Sequence, residues 1–205
     1  MEIKTMDPKT KYFYDTGGQN LVEGESKDLP DDAVVFDIGF HTGNWSSQIN
    51  PKARLFAYEA SPSIYQKFSS SHVGENHVVK CYGLGGKTRE CDIFVSGHHG
   101  DATSIFGYRS SSSEKTKIVD IVEEFENENI EFVDIMKINI EGAEYELLDR
   151  MIKTGIINKV KRLIVQFHTF GETENINKQN IREGLSNTHE CFFEYPYVWE
   201  GWKLK

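Results

Sequence analysis

Asp37, Gly39, Gly43 and Glu59 are the residues whose types and spacing first suggest chemistry. The stretch VVFDIGFHTGNWS (34–46) runs β-branched and aromatic residues into a lone aspartate, then into a turn with two glycines. About twenty residues past Gly39, FAYEASP (56–62) ends a second apolar run at Glu59, the spacing at which nucleotide-binding sheets place an acid. A dinucleotide fingerprint would be G-x-G-x-x-G. This loop is one glycine short, and its acid stands where a diphosphate would be repelled. A carboxylate there suits a ligand with a positive end, and S-adenosylmethionine has one, an α-ammonium beside a sulfonium. Gly39 and Gly43 would let backbone approach the methionine part closely. A helix opening at Gly43–Asn44 would receive the ligand carboxylate on its N–H groups. Glu59, with two acceptor oxygens, would take both ribose hydroxyls. The loop alone is a weak signal, since a strand, a glycine and a helix follow one another in many folds. Its pairing with Glu59 is what favours a ligand site.

The elements that must position these residues alternate. AVVFDI (33–38), RLFAYEA (54–60), HVVKCYG (77–83), DIMKINI (134–140) and KRLIVQFH (161–168) read as apolar strands. NWSSQIN (44–50, stopped by Pro51), PSIYQKFSSS (62–71), KIVDIVEEFE (117–126), GAEYELLDRMIK (142–153) and NINKQNIREGLSN (175–187) read as helices. ECDIFVS (90–96) reads as an edge strand, RSSSSEK (109–115) as a mobile loop, and CFFEYPYVW with GWKLK as a closing hairpin. The expected fold is α/β: a three-layer αβα, Rossmann-like sheet, mostly parallel, with an antiparallel C-terminal hairpin. The expected organisation is a single domain over 1–205, with 1–30 an extension packed on it. In such sheets ligands bind at the carboxyl ends of strands. Phe40, His41, Ala60, Ser61 and Asn139 therefore join the cofactor candidates. Gly83 and Leu84, in YGLGG, would edge an adenine, unless they form a simple turn. GDATSIF (100–106) carries no assignment.

These pieces in this order resemble the FkbM-type methyltransferases, a branch of the class I S-adenosylmethionine-dependent enzymes. The residues that carry the resemblance are VVFDIGFHTGNWS, FAYEASP, KINIEGAEYELL and LIVQFH, from about Val34 to His168. The resemblance implies O-methylation of a hydroxyl on a sugar, glycan precursor or secondary metabolite. It makes Asp37, Gly39, Gly43 and Glu59 cofactor contacts and gathers Glu141, Gly142, Glu144 and His168 around the transfer site. Asn139 stands where the family has Asp, and Gln166 where it has Glu. Two absent carboxylates speak against divalent-metal assistance and motivate one alternative, a module that binds S-adenosylmethionine without turnover. An NAD-binding oxidoreductase is the other, opposed by Asp37 and the missing glycine.

A sugar hydroxyl gains from a general base. His168, at a strand end and titrating near neutrality, is the first candidate. Glu141 is the second, as base or as orienter of the acceptor, and His41 the third. The alternatives are a hydrogen-bonded structural histidine and solvated acids in a helix first turn. The net charge of −9 argues against a nucleic-acid partner. No apolar run approaches the roughly 18 residues of a membrane span, and no apolar leader opens the chain. Cys81, Cys91 and Cys191 have neither disulfide nor metal spacing, and His98–His99 lack a third ligand, so no metal is expected. The expected setting is cytoplasmic, the expected partner a small-molecule or glycan-precursor acceptor, with oligomeric state open.

Overall fold

The computed structural model describes residues 6–70, 74–96, 103–106, 112–169 and 172–205. Strands β1 (Val34–Ile38), β2 (Arg54–Tyr58), β3 (His77–Lys80), β7 (Ile135–Ile138), β8 (Arg162–Val165), β9 (His189–Tyr195) and β10 (Trp199–Leu204) form one sheet in the order β3-β2-β1-β7-β8-β10-β9. All its pairings are parallel except those of β10, which runs antiparallel to both β8 and β9. The order reverses at β1, between β2 and β7, which sets the crevice at the carboxyl ends of these three strands.

The strands have period-2 side-chain alternation, and each face is apolar. Phe36, Ile38, Phe56, Met136, Ile138, Leu163 and Val165 point to one side. There they meet Phe125 of α4 (Ile121–Asn127), Leu147, Leu148 and Met151 of α5 (Glu144–Thr154), and Ile181 and Leu185 of α6 (Glu172–Ser186). Val35, Leu55, Ile135 and Ile164 point to the other side. They are covered by Phe13 of α1 (Pro8–Asp15), Val22 of α2 (Gly18–Gly24) and Leu29. The N-terminal extension thus supplies part of the second layer. Its first helix starts at Asp7, which accepts from Lys9 N at 2.9 Å, with Pro8 in the first turn, where a missing N–H costs nothing.

Four sequence expectations change. KIVDIVEEFE is not one helix. Residues Ser113–Asp120 form strand β6, and the chain turns helical only at Ile121. Thr116, Ile118 and Val119 suit a strand, and Asp120 caps α4 by accepting from Val122 N at 2.9 Å. The apolar spacing had run across the junction. The RSSSSEK loop correspondingly enters β6 at Ser113, its residues 109–111 lying outside the described residues. Strand β6 lies between β4 (Gly83–Gly85) and β5 (Arg89–Phe94) in a second, three-stranded sheet. The edge strand expected at 90–96 is the edge of this small sheet, and HVVKCYG divides, ending β3 at Lys80 and opening β4 at Gly83. Finally, NWSSQIN gives only a 3-10 turn, Ser46–Gln48, so no α-helix N-terminus stands at Gly43–Asn44 to receive a carboxylate.

Candidate active site

The crevice is built on backbone. Gly39 N and Phe40 N both donate to the Tyr58 carbonyl at 3.0 Å, Asn139 N donates to the Ile38 carbonyl at 2.9 Å, and Glu59 N donates to the Lys80 carbonyl at 3.0 Å. Four strand ends are thereby locked together. Gly39 has φ +92°, and a Cβ on it would lie 2.0 Å from the Asn139 carbonyl oxygen. His41 and Glu141 each take φ 51°, left-handed for residues with side chains, one on either side of that glycine turn.

A cavity opens here. Gly39, His41, Glu59, Ala60, Gly83, Leu84, Asn139 and Glu141 are in its wall, all from the sequence-derived set. Ile93 and Ile118 of the small sheet and Thr103–Ile105 line it as well. Sequence reasoning missed these last residues. The pattern of β5 and β6 gave no hint that two strands leave the main sheet to close over its end.

Glu59 is 6% exposed. One oxygen accepts from His41 N and the other from Ser61 N, each at 2.8 Å, so each keeps a lone pair for a ligand diol. Burial raises its pKa. The two backbone amides, His41 and Lys137 oppose that shift. Asn139 Oδ1 is a buried acceptor in this cavity wall with no hydrogen-bond partner among the described residues. A buried acceptor left unmatched is costly, and a ligand N–H or ammonium would satisfy it. The residues present therefore fit an adenosyl amino acid: a diol acceptor on β2, a polar acceptor on β7 and a glycine turn between.

Other members of the expected set stand elsewhere. Asp37 does not line the cavity. It is fully buried and accepts from Lys137 Nζ at 2.9 Å and Ser46 Oγ at 2.6 Å, partners inside the protein that the sequence did not suggest. Asp37 and Lys137 are in register on adjacent strands. Lys137 also donates to the Gly39 carbonyl at 2.7 Å, so the pair braces the glycine turn from beneath. Lys137 was overlooked, though a single lysine inside the apolar run IMKI signals a buried partner. Phe40 is a core residue whose ring lies under Gly43, where an added Cβ would come within 2.6 Å of it, and neither lines the cavity. Ser61 caps α3 (Pro62–Phe68), its hydroxyl accepting from Ile64 N at 3.3 Å. His98 and His99 lie outside the described residues. Among the described residues no group of three His, Cys, Asp or Glu side chains could hold a metal.

His168 follows β8 and adjoins the cavity through Glu141. Its Nε2 lies 2.9 Å from Glu141 Oε1 and its Nδ1 3.3 Å from Glu144 Oε1. Burial alone would lower its pKa, but the two carboxylates outweigh burial and push it up to about 9. It is an imidazolium at neutral pH, with both nitrogens committed as donors. The role of proton acceptor expected of it needs the neutral ring, which the two neighbouring acids disfavour. Its linkage to stability follows. A histidine with its folded pKa raised from 6.5 to about 9 stabilises fully below pH 6.5, and that contribution drains away between 6.5 and 9. Denaturant unfolding across that range is expected to show falling stability, and His168→Gln to flatten the slope. An equally steep slope in the variant would locate the titrating group elsewhere.

The profile of the methyltransferase FkbM domain matches residues 37–195. The hexuronic acid methyltransferase AglP of Haloferax volcanii is 23% identical over 164 residues, 79% of this chain and 67% of that protein. An rRNA methylase from Streptococcus thermophilus superposes with a TM-score of 0.50 at 9% identity, covering 90% of this chain and 93% of that one. A protein provisionally named an rRNA methylase, from Clostridium thermocellum, gives 0.50 at 11% identity, covering 98% and 97%. At such identities the solved structures speak for the fold, a class I Rossmann-like methyltransferase sheet. With the family profile spanning the crevice, both cavity-lining acids and His168, this chain belongs to the FkbM methyltransferase family, whose methyl donor is S-adenosylmethionine.

Proposed function

We propose that the protein transfers a methyl group to a hydroxyl oxygen of a sugar or glycan precursor, a hexuronic acid derivative being the first acceptor to try. The observation that carries this reading is that Glu59 and Glu141, at strand ends on either side of β1, line one cavity. When bound, S-adenosylmethionine supplies an electrophilic methyl on a positively charged sulfur. The chain's own task is to hold, align and dehydrate. Glu59 holds the ribose diol, Asn139 Oδ1 meets the amino-acid end, and Gly83 and Leu84 edge the base. Glu141 accepts the acceptor's hydroxyl proton, because His168 is already charged. Its carboxylate is a weak base held in place, so alignment carries more of the rate than proton affinity. The sugar reading draws on the hexuronic acid named for the relative. The net charge of −9 supports a small acceptor over a nucleic-acid backbone. Among the described residues no helix is long and apolar enough to cross a membrane.

The test is a transfer assay on hexuronic acids, neutral sugars, nucleotide sugars and an rRNA fragment, run beside calorimetry with S-adenosylhomocysteine. A methyl ether on a sugar oxygen is the expected product. Tight binding with no product on any acceptor would favour the non-catalytic module, and product on RNA alone would overturn the acceptor class. Glu59→Ala is expected to weaken cofactor binding by about 1.5–3 kcal/mol, the worth of charge-assisted hydrogen bonds to the ribose. An unchanged dissociation constant would remove Glu59 from the ribose.

A further inference from the structure

We propose that Glu144 is a positioning residue for the transfer reaction, clamping the Glu141–Gly142 turn and His168 together so that His168 holds the Glu141 carboxylate at the cavity wall. The inference rests on the reading of Glu141 as the group that meets the acceptor.

Glu144 opens α5 and is fully buried. A carboxylate so placed needs a specific duty for each oxygen. Its Oε2 accepts from Gly142 N at 2.8 Å. Its Oε1 accepts from His168 N at 2.7 Å and faces the ring Nδ1 at 3.3 Å. One side chain therefore joins the turn after β7 to the strand end after β8. The imidazole it seats presents Nε2 to Glu141 at 2.9 Å. Two further restraints converge on the cluster. Ser104 Oγ donates to the Glu141 carbonyl at 2.7 Å, and Tyr145 Oη donates to the His168 carbonyl. Glu141 is held in the left-handed region at φ 51°. A strained conformation of this kind persists only where its surroundings impose it. A solvated first-turn acid that merely favours the helix dipole would show none of this.

The two carboxylates on the ring act differently. Glu141 is partly open to the cavity, with 23% of its side chain exposed, whereas Glu144 has none exposed. Glu144 is thus the enclosed partner of His168, with both oxygens committed inside the protein, beside the nearer Glu141. Glu141 is the partner that faces outward. Among the described residues, the titratable groups facing the imidazole are these two acids, from the turn after β7 and from α5, with the Tyr145 phenol on its carbonyl.

The test has two independent readouts on the full chain. The first is the 15N NMR titration of His168 with no ligand present. Glu144→Gln should lower the His168 pKa by at least one unit, and this result holds whatever the acceptor proves to be. The second is steady-state kinetics on the acceptor found by the transfer assay. Glu144→Gln should cut kcat 10-fold to 100-fold while the calorimetric affinity for S-adenosylhomocysteine stays within about 2-fold. Glu144→Asp should recover part of the pKa, though its shorter reach leaves kcat low. If Glu144→Gln fails to fold, His168→Gln carries the test: the same loss of kcat with intact cofactor binding is expected, and full activity would overturn the proposal. A Glu144→Gln protein with the His168 titration unmoved would overturn it as well. If wild type transfers no methyl to any acceptor, the functional reading falls while the titration still judges the clamp.

Discussion

Lys137→Met is expected to cost about 3–5 kcal/mol of folding stability, the penalty for stranding one member of a buried ion pair. Methionine is close to lysine in volume, so packing changes little and the loss isolates the charge. Asp37, with no exposed surface, would lose its cation and keep the Ser46 hydroxyl. The loss should be read by denaturant unfolding at neutral pH. Adding Asp37→Asn to Lys137→Met should recover a large part of it, because the uncompensated charge then disappears. A single variant less than 1 kcal/mol from wild type would show that the pair is not the brace inferred from its geometry. Cofactor affinity should fall as well, since Lys137 also fixes the Gly39 carbonyl at 2.7 Å.

The second large effect belongs to Gly39→Ala. Two independent obstacles meet at this residue. Its φ of +92° lies where an L side chain is strained, and an added Cβ would sit 2.0 Å from the Asn139 carbonyl oxygen, which is backbone and cannot swing aside. Either β1 or β7 must move at the crevice. Cofactor binding is expected to weaken at least 100-fold, about 2.7 kcal/mol, measured by calorimetry with S-adenosylhomocysteine. Gly24→Ala is the control. It sits in α2 with nothing within 4 Å of the new Cβ, and should leave both folding and binding near wild type. If Gly39→Ala bound as wild type does, the close approach of the two strand ends would not matter to the site.

Much of this was legible in the residues because short-range rules suffice for it. The five parallel strands of the main sheet were visible as apolar runs, and the acid at the end of β2 was placed by spacing alone. What stayed hidden required knowledge of partners. Asp37 reads from sequence as an anion awaiting a ligand, and only the register with Lys137 reveals that its charge is already answered. His168 reads as a neutral base, and only the convergence of Glu141 and Glu144 makes it a cation. β6 reads as helix because Ile118, Ile121, Val122 and Phe125 fall at helical spacing, yet the first lies in a strand and the rest in the helix that follows. The N-terminal helices went unread although Asp7–Pro8 is a start signal. Their burial comes from Phe13 and Val22 docking on a distant sheet face.

The small sheet has a further consequence. Most of the donor grip belongs to the ends of β1, β2 and β7, whereas Ile93 and Ile118, on β5 and β6, contribute apolar wall beside Gly83 and Leu84 of β4. Selection can therefore remould those two apolar positions while the contacts of β6 to the Ala60–Ser61 loop stay in place. One ancestral scaffold could in this way be retuned toward new acceptors by drift in two short segments.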